Sequence, residues 1–204
     1  MMRRITVIAL CGKKRSGKNT AADALKNHFG LERPCIEMSF AAPIKKCVSD
    51  LFGFTQDQVD GDKKEVPDDR WEGKTPRQVI QFFGTEMMQH KLQELLPKVG
   101  RNFWTNRLIK DIKDRESRDT NVLAIVTDLR FKHEFNALQS AFGEKFLCVK
   151  IERPTSDKHF SLTDTHSSEK EVEEISAHVN ILNAYNKETF ERDCVNVLRA
   201  RLSH

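Results

Sequence analysis

The chain has 204 residues, a net charge of +4, 31% charged residues and a mean hydropathy of -0.57. That length suits one large domain, and the polarity with only short apolar runs excludes a helical membrane protein. Lys and Arg are interspersed with Asp and Glu, which argues against a nucleic-acid-binding stripe.

Met1-Met2-Arg3-Arg4 leads into a short strand rather than a secretory h-region, so a soluble, cytoplasmic protein is expected. The first strand is Ile5 to Cys11, followed by Gly12-Lys13-Lys14-Arg15-Ser16-Gly17-Lys18 and a helix start. Strand, tight loop and helix together make a phosphate-binding device. Loop amides wrap phosphate oxygens, Lys18 reaches the terminal phosphates, and the helix N-terminus adds positive potential. The strict pattern places Ser or Thr after the lysine to bind Mg²⁺. Here Asn19 follows, and Thr20 comes one residue late, about 100° further round the helix.

The helix beginning near Thr20 presents Ala21, Ala24, Leu25 and Phe29 on one face, and Cys35 to Phe40 reads as a second strand. Pro43 is expected to open a helix with Ile44, Cys47, Val48 and Leu51 inward. Residues 53 to 74, rich in Asp, Gly and Lys, read as a surface excursion. Thr75-Pro76-Arg77-Gln78 is a capping box, and the helix after it carries Val79, Phe83, Met87, Leu92 and Leu96 on one stripe. Another helix is expected from about Asn102 to Arg115.

Val122 to Val126 is a continuous apolar run, as in a strand buried on both faces. A helix with Phe131, Phe135, Leu138 and Phe142 follows, then a strand over Phe146 to Ile151. A polar segment from Arg153 to Ser168, a short acidic helix, a last strand at Val179 to Leu182 and a closing helix through Phe190, Cys194, Val197 and Leu198 complete the chain. This alternation predicts an α/β fold with a doubly wound five-stranded parallel sheet. Cys11, Cys35, Cys47, Cys148 and Cys194 are scattered without a Cys-x-x-Cys pair and read as free thiols. Cys11 and Cys148 are expected as buried fillers, and no metal is assigned to any of the five.

Ligands of such sheets bind beyond the carboxyl ends of the strands. Asp128 stands at one such end, either holding Mg²⁺ through water, binding Arg130 and a sugar, or capping the strand. Arg130 either forks onto a phosphate or is a solvated strand-end residue. Trp104 either stacks on a base or packs in the core. His166 has no partner histidine at zinc-ligand spacing, and its segment is either a lid or a capped helix entry. No Ser-His-Asp arrangement is apparent, whereas phosphoryl transfer needs only the positioning and charge that these groups supply.

Gly12 to Thr20 with Ala22-Asp23, then Ala42-Pro43-Ile44-Lys45, Arg77 to Gly84-Thr85-Glu86 and Phe103-Trp104 form an ordered set. It continues in Asp128-Leu129-Arg130, His133-Glu134, Arg153-Pro154, Asp164-Thr165-His166 and Glu169. The set covers nearly the whole chain and resembles the deoxynucleoside monophosphate kinases of T-even-type phages and related viruses. The resemblance implies a P-loop, adenylate-kinase-like fold and transfer of the ATP γ-phosphoryl group to a deoxynucleoside monophosphate. It implies a core of about residues 1–52 and 120–204, an acceptor-binding helical region of about 53–119 and a lid of about 153–168.

By the same resemblance, Gly12, Lys13, Lys14, Arg15, Ser16, Gly17, Lys18, Asn19, Thr20 and Arg153 bind ATP. Lys45, Arg77, Thr85, Trp104, Asp128, Arg130 and Glu134 bind the monophosphate. Lys13, Lys18, Arg15 and Arg130 are the expected catalytic cations, and Asn19 and, through water, Asp128 are the candidate Mg²⁺ residues. The implied partners are ATP, Mg²⁺, a deoxynucleoside monophosphate and a second copy of the chain, without nucleic acid or membrane. The chain departs from the family in having Asn19 where Asp is usual, and in a shorter 53–74 stretch. A kinase of another small phosphorylated metabolite and a non-catalytic nucleotide-binding module are the alternatives.

Overall fold

A computed structural model describes residues 5–119, 121–154 and 171–202. His166, Glu169 and most of the expected lid lie outside the described residues. The apolar runs become strands β1 (Ile5–Cys11), β2 (Cys35–Met38), β3 (Val122–Leu129), β4 (Phe146–Glu152) and β5 (Val179–Leu182). They form one five-stranded sheet in the order β2-β3-β1-β4-β5, with every pairing parallel. Val122 to Val126 are all buried, as their lack of alternation requires of a central parallel strand. β3 continues beyond that run, so Asp128 is still a strand residue.

The chain divides into two compact units, Phe40–Arg107 and the remainder. In the sheet unit, α1 (Lys18–Phe29) and α7 (Lys187–Leu202) contribute Leu25, Phe29, Phe190, Cys194 and Leu198 to one buried cluster. Ile8, Leu10, Ile125 and Ile151 of the sheet complete it. Cys11 and Cys148 are fully buried with sulfurs 3.8 Å apart, Cys194 is buried, Cys35 and Cys47 are half-buried, and all five are free. α6 (Lys132–Phe142) follows β3.

The other unit differs from expectation in its bounds, running over Phe40–Arg107 instead of 53–119. It takes in α2 (Ala41–Phe52), which starts two residues before Pro43. Proline is accepted there because the first-turn N–H groups lack helical partners. The 53–74 stretch is a built element rather than a bare excursion. It holds α3 (Gln56–Val59), and Phe54 and Val59 are buried beside Ile44, Val48 and Trp104. Buried Asp68 takes a fork from Arg70, with Nη2 at 2.6 Å and Nε at 2.9 Å, and the Gln58 amide at 2.9 Å.

The capping box is present. Thr75 Oγ1 accepts from Gln78 N–H at 3.2 Å, and Gln78 Oε1 accepts from Thr75 N–H at 2.9 Å, opening α4 (Pro76–Gln81). The long helix expected after it does not persist. Phe82–His90 is a π-helix, followed by a 3-10 turn over Lys91–Glu94. Bonding from i to i+5 shifts side chains off a 3.6-residue stripe. Met87 and Leu96 are accordingly exposed. The last helix of this stretch, α5 (Phe103–Arg118), starts one residue after the expected Asn102 and runs past Arg115.

Candidate active site

Two glycines shape the loop between β1 and α1. Gly12 has φ +142° and Gly17 φ +110°, conformations that side-chain-bearing residues rarely adopt. A Cβ on Gly12 would lie 2.3 Å from the Ile151 carbonyl oxygen. Arg15 is left-handed as well, at φ +64° without being glycine. Gly17 is the N-cap of α1, so that helix aims its unbonded first-turn N–H groups and positive dipole end at the loop. Lys18 Nζ folds back over the loop and donates to the Gly12 and Lys13 carbonyls at 2.6 and 2.8 Å.

Ser16 is buried, and its hydroxyl has no hydrogen-bond partner among the described residues. Exposed Lys13 pairs with Glu173 at 2.5 Å, and the Lys13 ammonium holds the Glu173 carboxyl below its usual range. A glycine cradle, an orphaned hydroxyl, a helix N-terminus and several cations are a donor set suited to phosphate. Asn19 is exposed and Thr20 half-buried in the first turn of α1.

At the carboxyl end of β3, Asp128 Oδ2 accepts from the Ser39 hydroxyl at 2.8 Å, and Arg130 is exposed. Glu134, expected on the acceptor, is only 3% exposed and serves the backbone instead. Its Oε2 accepts from Arg130 N–H at 2.9 Å and Phe131 N–H at 3.0 Å, fixing the turn that carries Arg130 into α6. Burial pushes its carboxyl up to about 8 against the pull of those two N–H groups. Arg153 is exposed just past β4.

Within the second unit, Lys45 pairs with Asp60, and Arg77 Nε lies 2.5 Å from Glu65 Oε1. Thr85 is half-buried in the π-helix. Trp104 packs as a core residue, one of the two readings its sequence left open. It is 6% exposed, packs with Ile44, Val48, Phe54 and Val59, and donates from Nε1 to the Gly84 carbonyl at 3.0 Å. A Cβ on Gly84 would stand 3.0 Å from Ile44 Cδ1, so the bond also marks close packing.

Asn183 was absent from the predicted site. It stands just after β5 and donates from Nδ2 to the Ser16 carbonyl at 2.9 Å. An asparagine directly after a short strand, at the ligand-binding end of a parallel sheet, is the signal that was available.

A parallel sheet in the order β2-β3-β1-β4-β5, with a glycine-shaped loop between β1 and α1, defines a P-loop fold. The APS kinase of Mycobacterium tuberculosis, solved with AMPPNP and APS, has the same fold. It superposes with a TM-score of 0.51 at 10% identity, over 97% of this chain and 99% of that one. The family model of deoxynucleotide monophosphate kinase matches residues 72–193. A protein of Acanthamoeba polyphaga mimivirus that carries the same family name is 33% identical over 189 residues, 92% of this chain and 91% of its own. The chain belongs to the deoxynucleotide monophosphate kinase family and is an enzyme of that class. The family match begins beyond the phosphate loop, so the loop stands on its own geometry. No helix among the described residues is long and apolar enough to cross a membrane.

Proposed function

We propose that the protein transfers the γ-phosphoryl group of Mg-ATP to a deoxynucleoside 5′-monophosphate, giving the diphosphate and ADP. The observation that carries this reading is the phosphate loop, in which Gly12, Gly17 and the α1 N-terminus form a donor cradle closed by Lys18. An oxygen of the acceptor phosphate attacks the γ-phosphorus. The bond to the β–γ bridging oxygen breaks, and ADP leaves with its electron pair. No protein nucleophile is needed, so the chain's task is to position and neutralise charge.

Lys18 exchanges its loop carbonyls for phosphate oxygens, and Lys13, Arg15 and Arg130 balance the charge of the transferring group. The remaining loop residues, Lys14, Ser16, Asn19 and Thr20, and Arg153 serve ATP. By the family resemblance, Lys45, Arg77, Thr85, Asp128 and Arg130 serve the acceptor. Glu134 acts by holding the Arg130 backbone. One carboxylate, Asp128, and the amide oxygen of Asn19 are hard donors of the kind Mg²⁺ takes alongside water and substrate phosphates. They would hold the ion, which spreads the phosphate charge when bound. A soluble, cytoplasmic homodimer completes the reading.

Coupled-assay ADP release with a panel of deoxynucleoside and ribonucleoside monophosphates, with and without Mg²⁺, tests it. Turnover is expected on at least one deoxynucleotide, dependent on Mg²⁺, and abolished in a folded Lys18→Met variant. Absence of turnover across the panel refutes the assignment.

A further inference from the structure

The phosphate loop is braced from outside by a residue of the opposite end of the chain. Asn183 Nδ2 donates to the Ser16 carbonyl at 2.9 Å, and the Asn183 backbone N–H donates to the Glu152 carbonyl at 2.7 Å. A carbonyl oxygen only accepts, so the donor end of the carboxamide must face it. Asn183 is thereby a strut, rooted where β4 and β5 end and tipped on the loop.

Gly17 is shaped to receive that strut. A Cβ there would fall 2.5 Å from Asn183 Nδ2 and 3.2 Å from the Phe190 ring, at a φ of +110°. The loop glycine is thus required by the brace as well as by its own backbone angle.

The Ser16 carbonyl and the Gly17 N–H belong to one peptide plane. With no cis bond among the described residues, the two groups point in opposite directions. Whatever fixes the carbonyl also fixes the N–H. We propose that Asn183 is a positioning residue that aims the Gly17 N–H at a phosphate oxygen of the bound nucleotide by holding the Ser16 carbonyl away from it. A donor oriented before the ligand arrives binds developing or resident charge without reorganisation. The proposal rests on the phosphate-loop reading above, not on the identity of the acceptor.

Ser16-Gly17 is the one Ser-Gly dipeptide of the sequence, so carbonyl-labelled serine with amide-labelled glycine isolates a single peptide in NMR spectra. In the wild type, ADP should move that amide proton downfield. Asn183→Ala should lose most of the shift and weaken ADP binding by about tenfold, the worth of one aimed hydrogen bond. Its melting temperature without nucleotide should stay within about 4 °C of wild type. Asn183→Asp, which sets a carboxylate against the Ser16 carbonyl, should weaken ADP further.

Variants that keep wild-type ADP affinity and the full shift overturn the proposal. So does a loss of affinity that tracks a collapse of nucleotide-free stability, which would make Asn183 merely structural. A wild type that shows the shift, loses it in the variants and yet phosphorylates no monophosphate supports the strut while refuting the kinase reading.

Discussion

Glu134→Gln should flatten the dependence of stability on pH. The Glu134 carboxyl is raised to about 8 in the folded protein from an ordinary value of 4.5, chiefly by burial. Because the folded value lies above the unfolded one, the stability this group lends is complete below about pH 4.5 and is lost as pH rises toward about 8. Each pH unit in that window costs about 1.4 kcal/mol, so the loss between pH 5 and 8 approaches an upper limit of about 4 kcal/mol. Glutamine keeps an acceptor for the Arg130 and Phe131 N–H groups and carries no charge. Asp128, which raises the Glu134 value, and Arg130, which lowers it, are the charged neighbours, and both remain in the variant. Urea unfolding of both proteins across this range isolates the difference. Wild type should lose stability relative to the variant with increasing pH, and parallel profiles would refute a neutral, buried Glu134.

Two further substitutions test the packing of each unit. Gly12→Ala places a methyl 2.3 Å from the Ile151 carbonyl oxygen at φ +142°. It should cost about 3 kcal/mol and lower the calorimetric melting temperature by roughly 6–12 °C; an unchanged melt would mean that the loop shifts freely. Trp104→Phe leaves the buried Gly84 carbonyl without its indole donor. A loss of about 2 kcal/mol in unfolding free energy is expected. Unaltered stability with a raised acceptor KM would favour the base-stacking role over core packing.

Much of the sheet unit was legible because its signals are local. The run Val122 to Val126 can be buried on both faces only as a central strand, and the glycine spacing of the phosphate loop dictates its own backbone. The Thr75 capping box was equally readable, since its partners lie within one turn. The π-helix was not, because the apolar residues of Phe82 to His90 suit an α-helix equally well. Glu134 was placed in the site by resemblance, yet its geometry is that of a residue reaching back to the N-terminus of its own helix. Asn183 pairs across most of the chain with Ser16, and no periodicity joins two such distant positions.

The unpaired thiols grade themselves by depth. Cys35 and Cys47 are half-buried, one on β2 and one on α2, whereas Cys11, Cys148 and Cys194 are sealed within β1, β4 and α7. A thiol reagent therefore meets the first two through small fluctuations and the other three only when the sheet or its covering helix parts. Cys47 belongs to the Phe40–Arg107 unit and the rest to the other. The order in which the sulfurs are modified makes the native chain its own clock for which half opens first, with no label engineered into it.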